Sequence, residues 1–234
     1  SFDPDIEITI KEGKTFDPNT ADLQAIKKIK GIKYFSETIE ENALIKYRGQ
    51  QCIATLKGVS EEFKKMTCFD TLVREGEYIL EADSQNYVVI GKGISYLLST
   101  GVMDVFAPLS IYVPKRGSTS TLNPEDAFNQ ENTYVSGIFS INDDFDFKYV
   151  LLSLDFTREL LGYKNEVSAV EITVDSSADK GSIQKEIKRV LGDRYIVKNR
   201  YEQNELLFKT MNSEKLWTFI ILVFILVIAT FNVI

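Results

Sequence analysis

The sequence predicts an α+β fold whose chain continues into a membrane-spanning helix. Three observations lead to this prediction. A strand–helix–strand pattern occurs in the first 67 residues and returns after residue 166, the region between the two is mainly β in pattern, and residues 216–234 carry no charge. These patterns have a physical basis, because half-buried strands alternate apolar and polar residues while surface helices repeat apolar residues every three to four positions.

The first strand–helix–strand unit lies near the start of the chain. Residues 5–10 (DIEITI) alternate as a half-buried strand does. The following segment repeats apolar residues at helical spacing and ends near Gly31, as a helix with a C-terminal glycine would. Residues 32–39 predict the second strand of this unit.

The same order of elements returns late in the chain. Residues 167–174 (VSAVEITV) predict a strand, and residues 195–197 begin another. The helix predicted between them ends at Gly192 and carries an apolar stripe of Ile183, Ile187, Val190 and Leu191. Two such units indicate a ferredoxin-like layer, which is one sheet covered by helices, although a chance match of two common patterns is the alternative.

The region between the two units is predicted to be mainly β. Residues 43–59 indicate a hairpin that turns at Arg48-Gly49. Further strands are predicted at 85–90, 109–113, 134–139 and 149–154, and short helices at 60–66, 93–98 and 155–161. We therefore interpret residues 68–165 as a β-rich subdomain inserted into the ferredoxin-like layer.

One long connection in this region has no hydrophobic period. Residues 114–133 (PKRGSTSTLNPEDAFNQENT) contain two prolines and a Ser/Thr cluster. Irregular connections of this length are uncommon inside compact domains and are often functional. Charged and apolar residues together suggest a partner-binding loop, for which the candidate residues are Pro114, Lys115, Arg116, Leu122, Pro124 and Phe128. The alternative is a solvated connection without a partner.

The end of the chain predicts a stalk and a membrane span. Residues 202–215 have helical composition and lead without a breaker into residues 216–234 (LWTFIILVFILVIATFNVI). A helix of that length reaches about 30 Å, close to the thickness of a bilayer core. Leu216 begins the span, and Trp217 stands where an interfacial aromatic residue is expected. A buried core helix is the alternative.

Composition excludes several classes of function. The net charge of −7 and the lack of a basic cluster argue against nucleic-acid binding. The chain has no histidine, which removes the commonest general base and zinc ligand, and its serines form no nucleophile motif. Residues 88–93 (VVIGKG) are an incomplete phosphate loop, and residues 142–147 (NDDFDF) are an incomplete calcium loop. We expect neither an enzyme nor a cofactor or metal site.

The two cysteines, Cys52 and Cys68, show no spacing that predicts a metal site. We expect two buried free thiols, with a disulfide as the alternative if the domain faces an oxidising compartment.

Several stretches resemble one family of membrane proteins. They are residues 5–15 (DIEITIKEGKT), 88–98 (VVIGKGISYLL) with 109–115 (LSIYVPK), 134–141 (YVSGIFSI) and 214–234, where the span closes with Phe231-Asn232. In their order and spacing they resemble the extracytoplasmic domain of ABC transporter permeases of the LolC/LolE lipoprotein-releasing type, which belong with the MacB- and FtsX-like permeases.

The resemblance implies a division of the chain. Residues 1–67 and 166–201 would form a ferredoxin-like porter subdomain, and residues 68–165 a β-rich sabre subdomain. A stalk helix at 202–215 and the second membrane helix at 216–234 would follow. Residues 1–215 would lie on the periplasmic side of the inner membrane.

The same resemblance implies partners and a function. The partners would be a cytoplasmic ATPase subunit that binds ATP, a second permease subunit, and a periplasmic carrier or lipoprotein substrate that contacts residues 114–133. The domain would help move a lipoprotein or another amphiphilic substrate out of the membrane without catalysis of its own. The alternatives are a MacB-type exporter, an FtsX-type regulatory permease, or a single-span receptor that binds a partner.

Overall fold

The computed structural model describes residues 4–102, 104, 107–116, 127–203, 219 and 221–222. Along the chain the elements are β1 (Ile6–Ile10), α1 (Ala21–Ile26), β2 (Ile32–Tyr47), β3 (Gln50–Val59), α2 (Glu61–Thr67), β4 (Val73–Gly76), β5 (Glu81–Ala82), β6 (Gln85–Gly91), α3 (Lys92–Leu98), β7 (Leu109–Pro114), β8 (Phe128–Phe139), α4 (Asp143–Asp146), β9 (Tyr149–Ser153), α5 (Leu154–Leu161), β10 (Ala169–Val174), α6 (Lys180–Leu191), β11 (Tyr195–Asn199) and α7 (Arg200–Gln203).

The two predicted strand–helix–strand units form one antiparallel layer. Its strands lie in the order β11-β1-β10-β2, and every neighbouring pair is antiparallel. Helices α1 and α6 pack on one face of this layer, where Leu23 and Ile26 meet Ile183 and Ile187 in the main core. The apolar stripes found in the sequence are therefore the buried faces of these two helices.

The middle of the chain folds into a closed ring of strands. Strand β7 pairs with both β2 and β8, so β2, β3, β9, β6, β8 and β7 form a six-stranded barrel. Helices α3 and α5 bury apolar residues in the main core together with the strands of the barrel. Because β2 and β3 belong to the same sheet as the layer, the sheet is continuous across the predicted subdomain boundary, and the subdomain division stays a prediction.

The predicted hairpin is confirmed. Strands β2 and β3 pair from Thr38↔Val59 to Tyr47↔Gln50, which leaves Arg48 and Gly49 as a two-residue turn. Both turn residues have positive φ, 43° and 86°, as a tight hairpin with right-twisted strands requires. The hairpin is longer than predicted, because β2 runs without a break for 16 residues.

The predicted start of strand β8 is wrong, and the first helix ends at Ile26 rather than near Gly31. Strand β8 begins at Phe128, whereas the sequence pattern predicted it from residue 134 and assigned residues 128–133 to the irregular loop. The first half of β8 pairs only with β7, and its residues 130–132 are exposed. Without a buried neighbour on both sides this stretch needs no apolar alternation, so its sequence does not predict a strand.

A second, smaller core lies beside the main one. It contains Phe63 of α2, Phe69 and Phe139, with the Phe69 and Phe139 rings edge to face at 5.2 Å between centroids. Val59 of β3 and Leu151 of β9 also belong to it, whereas Leu56, Val150 and Leu152 of the same two strands belong to the main core. Since alternate residues of a strand point to opposite faces, the sheet carries a core on each face here.

The predicted span at 216–234, with Leu216, Trp217, Phe231 and Asn232, lies outside the described residues apart from Phe219, Ile221 and Leu222, which are helical and exposed. Within the part of the chain that the structure describes, no helix has the length and apolar composition needed to cross a membrane.

The two cysteines are free thiols. Cys52 is half-buried, but Cys68 is exposed, so the expectation of two buried thiols is wrong for Cys68. The reason is local: Cys68 ends helix α2 in a left-handed conformation (φ 51°, ψ 42°), which turns the chain at the protein surface.

Candidate functional site

The base of the predicted partner-binding loop is a regular hairpin. Strands β7 and β8 pair as far as Pro114↔Phe128, and the Lys115 N–H donates to the Ala127 carbonyl at 2.8 Å. The loop proper is therefore shorter than the sequence predicted. Leu122 and Pro124 lie outside the described residues.

Arg116 connects this loop base to the four-stranded layer through hydrogen bonds and a cation–π contact. Its guanidinium donates to Glu166 at 3.2 Å and to the Thr15 hydroxyl at 2.9 Å, and it lies 4.1 Å from the centre of the Tyr163 ring. Thr15 follows β1 and Glu166 precedes β10, so one side chain joins the loop to two connections of the layer. We infer that Arg116 holds the loop base in place, a role distinct from the partner contact that the sequence suggested.

The other candidate residues that are described lie at the surface. Phe128 is 40% exposed, and Pro114 and Lys115 are exposed. In the antiparallel register Phe128 lies on the same face of the sheet as Pro114. The structure thus brings an aromatic ring and a proline together at the loop base, which suits contact with a partner.

A second constellation, which the sequence analysis missed, lies where the two ends of the domain meet. Asp5 is buried just before β1, and its carboxylate accepts from Lys180 Nζ at 2.7 Å, Arg200 at 3.2 Å and the Val174 N–H at 3.0 Å. Gln203 completes the junction by donating to the Pro4 carbonyl at 3.5 Å. The first and last described elements of the domain are therefore held together directly.

The charge of Asp5 is stabilised at this junction. Burial alone would raise the pKa of Asp5, but the hydrogen bonds from Lys180 and the Val174 N–H and the nearby Arg200 charge outweigh it and hold the pKa below its ordinary value. Asp5 therefore stays ionised at neutral pH and keeps its hydrogen bonds to Lys180 of α6 and Arg200 of α7.

A third constellation is a buried ion pair that crosses β2. Lys57 of β3 is 4% exposed, and its ammonium donates to Glu171 of β10 at 2.6 Å and to Glu40 of β2 at 3.0 Å. Burial alone would lower the pKa of Lys57, but the two carboxylates raise it above its ordinary value. Glu7 lies directly opposite Glu171, and its pKa is raised by burial and then by the Glu171 charge. This group connects the barrel hairpin to the layer.

The sequence contained a signal for the buried ion pair of Lys57 and Glu171. Both strand patterns, DIEITI and AVEITV, carry a glutamate at the same position, and the antiparallel register places Glu7 and Glu171 side by side. Two adjacent carboxylates on a covered sheet face require a cation. Which lysine supplies it depends on the pairing of β10 with β2, and the sequence pattern does not show that pairing.

The incomplete phosphate and calcium loops have structural explanations. A side chain on Gly91 would collide with the Asp146 carbonyl, and one on Gly93 would collide with the Phe147 ring, so these glycines let α4 approach α3. Asp146 is buried and accepts from the Ser140 hydroxyl and the Ile141 N–H, at 2.7 and 2.8 Å. Among the described residues no group of acidic or cysteine side chains could hold a metal ion.

Comparisons of sequence identify no relatives: neither a family model nor a curated protein matches this chain. Solved structures do match. The periplasmic region of MacB from Actinobacillus actinomycetemcomitans aligns with a TM-score of 0.57 at 12% identity, over 88% of this chain and 92% of that one. The extracellular domain of YknZ, a noncanonic ABC-type transporter from Gram-positive bacteria, aligns with a TM-score of 0.55 at 18% identity, over 83% and 99%. A domain of a candidate permease from Porphyromonas gingivalis gives 0.51 at 11%, over 86% and 93%.

The chain therefore has the fold of periplasmic and extracellular domains of ABC-type transporter proteins. Nearly the whole of each matched domain is covered, so the likeness extends to both the four-stranded layer and the barrel. At these identities the likeness establishes the fold, and the function follows from it only as a proposal.

Proposed function

We propose that this chain is the extracytoplasmic domain of an ABC transporter permease that moves a lipoprotein or another amphiphilic substrate out of the inner membrane. In this proposal the domain catalyses no reaction and binds no cofactor. A cytoplasmic ATPase subunit supplies the energy, and a second permease subunit completes the membrane part. The fold shared with MacB and YknZ and the apolar stretch at 216–234 support the proposal.

The observation that carries the proposal is the junction of the chain ends. A domain inserted between two membrane helices must send both ends toward the same membrane surface. Here Pro4 and Gln203 are in hydrogen-bond contact, and Asp5 bonds to Arg200 at the start of α7. A displacement of the helix that follows Arg200 would therefore act on β1 and β11 together. In this way ATP-driven movement of a stalk at 202–215 would move the whole layer.

The finer fold assignment belongs to the same proposal. We assign the layer to a ferredoxin-like porter subdomain and the barrel to a sabre subdomain. The strand order β11-β1-β10-β2, with both helices on one face, is the order expected for two strand–helix–strand units that interlock.

A MacB-type exporter is the second candidate, and the likeness to the periplasmic region of MacB favours it. The two candidates differ in what reaches the loop at 117–126: a periplasmic carrier or lipoprotein in the first, and an assembly partner in the second. A single-span receptor is the candidate from another class, and it would need no ATPase.

The test uses the full-length protein in lipid nanodiscs with its associated ATPase and a fluorescent triacylated lipopeptide as the probe. We expect ATP-dependent release of the lipopeptide. Asp5→Asn should reduce the amount of lipopeptide released per ATP hydrolysed several-fold while ATP hydrolysis continues. The reason is that the hydrogen bonds from Arg200 and Lys180 to residue 5 are weakened. Lys64→Met removes an exposed ion pair with Asp70 and should change nothing.

A protein that copurifies with no ATPase would favour the receptor. ATP hydrolysis without lipopeptide release would favour the exporter of a different substrate. Release that Asp5→Asn leaves unchanged would remove the junction from the mechanism.

A further inference from the structure

One face of the barrel carries no acidic residue. We define the wall face as the outward-pointing alternate residues of four paired strand segments on β2, β3, β7 and β8. They are Asn42, Leu44, Lys46, Gln51, Ile53, Thr55, Ser110, Tyr112, Pro114, Phe128, Gln130 and Asn132. These positions supply twelve side chains, three from each strand. None is Asp or Glu, in a chain that has 34 of them.

The apolar side chains of the wall face are contiguous. Ile53 lies opposite Leu44, and Leu44 lies opposite Tyr112. Tyr112 pairs with Gln130 of β8, and Phe128 is the next residue of β8 on the same face. Ile53 is 75% exposed and Phe128 40% exposed, while Leu44 and Tyr112 are half-buried. Depletion of charge together with aromatic and aliphatic side chains is the composition of the centre of a protein interface.

The wall face itself carries one charge, and that charge is positive. Lys46, its one charged residue, lies 4.8 Å from the centre of the Tyr112 ring, and it makes no ion pair within the described part of the chain. A hollow of about 290 Å³ opens beside it at the hairpin tip and is lined by Lys46, Arg48 and Ser110. Arg48 is already paired with Asp104 at 2.7 Å, so Lys46 is the cation left for a ligand carboxylate.

The position of the wall face argues against a membrane as its occupant. Strand β2 starts at Ile32, which pairs with Val174 close to the junction of the chain ends. Leu44 lies twelve residues further along, or about 40 Å at the rise of a strand. This step rests on the proposed function, which places the membrane at the junction.

The size of the wall face argues against a second copy of the chain. Four strands about 4.8 Å apart and five residues long cover roughly 300 Å². A stable dimer needs about 800 Å² from each partner. The face therefore suits the centre of a transient contact.

We propose that the wall face binds transiently to another protein, through a segment that combines apolar side chains with a carboxylate. The apolar side chains cover Ile53, Tyr112 and Phe128, and the carboxylate pairs with Lys46 at the hollow. The segment lies across β2, β3, β7 and β8, next to the loop base that Arg116 holds in place. The loop base at Pro114 and Phe128 and the rest of the wall face thus form one continuous surface for the partner.

The test places the photo-crosslinking amino acid benzoyl-phenylalanine at Gln51, an exposed position of the wall face, in the full-length protein in cells. A probe at Ile196, which is 37% exposed on the edge strand β11, is the matched control. We expect a protein crosslink from Gln51 that is absent from Ile196. Mass spectrometry of the crosslinked peptide should show apolar residues beside Asp or Glu.

Two variants define the contact. Ile53→Asp and Lys46→Glu should each lower the crosslink yield at least tenfold, whereas Ile196→Asp should not; thermal unfolding checks that each variant is folded. Crosslinks to phospholipid, to a second copy, to a segment without carboxylates, or no product beyond the Ile196 level would each overturn the proposal. ATP-dependent release, measured separately, tests the proposed function, so the two can fail independently.

Discussion

Removing the ammonium of Lys57 should destabilise the protein more than any other single lysine change that we consider. In Lys57→Met the Glu171 carboxylate, 2% exposed, would lose a donor at 2.6 Å while Glu7 and Glu40 remain nearby. Breaking a buried ion pair from one side costs about 3–5 kcal/mol, because an uncompensated charge stays buried. In a chain of this size, that corresponds to a fall in Tm of roughly 6–20 °C.

The assay is thermal unfolding of the purified protein followed by circular dichroism. Lys198→Met is the matched control, because Lys198 is exposed on the same sheet opposite Glu7 and should cost under about 0.5 kcal/mol. The double variant Lys57→Met/Glu171→Gln should recover most of the loss, since Glu171, the most deeply buried carboxylate of the group, is then neutral and no longer repels Glu7.

The pH dependence gives an independent check. In Lys57→Met, burial without a cation raises the folded-state pKa of Glu171 above the unfolded value of about 4.3. The penalty is therefore absent below the unfolded pKa and grows as pH rises toward the raised folded pKa. A Tm within 2 °C of the parent at pH 7, or a deficit equal at pH 4 and pH 7, would refute this reasoning.

Three further outcomes are expected. Asp5→Asn should lower the free energy of unfolding by about 2 kcal/mol at pH 7, because charge-assisted hydrogen bonds are lost. This deficit should shrink as pH falls through the lowered pKa of Asp5. Urea unfolding at pH 7 and pH 3 measures both effects. Gly93→Ala should cost about 1–3 kcal/mol by overpacking against Phe147, and Phe147→Ala in the same chain should relieve that clash, which a double-mutant cycle detects. Replacing residues 117–126 by a short Gly-Ser turn should keep Tm within a few degrees while abolishing function in cells that need the full-length protein; normal growth would show that the loop is only a connection.

The repeated strand–helix–strand units were predictable because their signal is local. Alternation in 5–10 and 167–174 and the apolar stripe of α6 each follow from burial on one face, and the structure places these elements as predicted. The closed barrel was not predictable, since it depends on β7 pairing with both β2 and β8, and no single strand pattern records its partners.

The candidate site was predictable only in part. The irregular connection at 114–133 was predicted because irregular sequence is itself a signal, and its role in partner binding stays a prediction. Its second boundary was wrong, since the exposed start of β8 has no apolar period. The junction at Asp5 and the pair at Lys57 were missed because each joins residues more than a hundred positions apart. Long-range electrostatics of this kind require the fold before they can be seen.

The central claim is that this domain lies outside the membrane of a transporter, and Cys68 offers a direct test of it. Cys68 is an exposed free thiol, whereas Cys52 is half-buried in β3. In intact cells stripped of their outer envelope layers, a membrane-impermeant maleimide should label the full-length protein, and Cys68→Ser should abolish most of the labelling. Labelling of Cys68 only after the membrane is disrupted would place the domain on the cytoplasmic side and contradict the account.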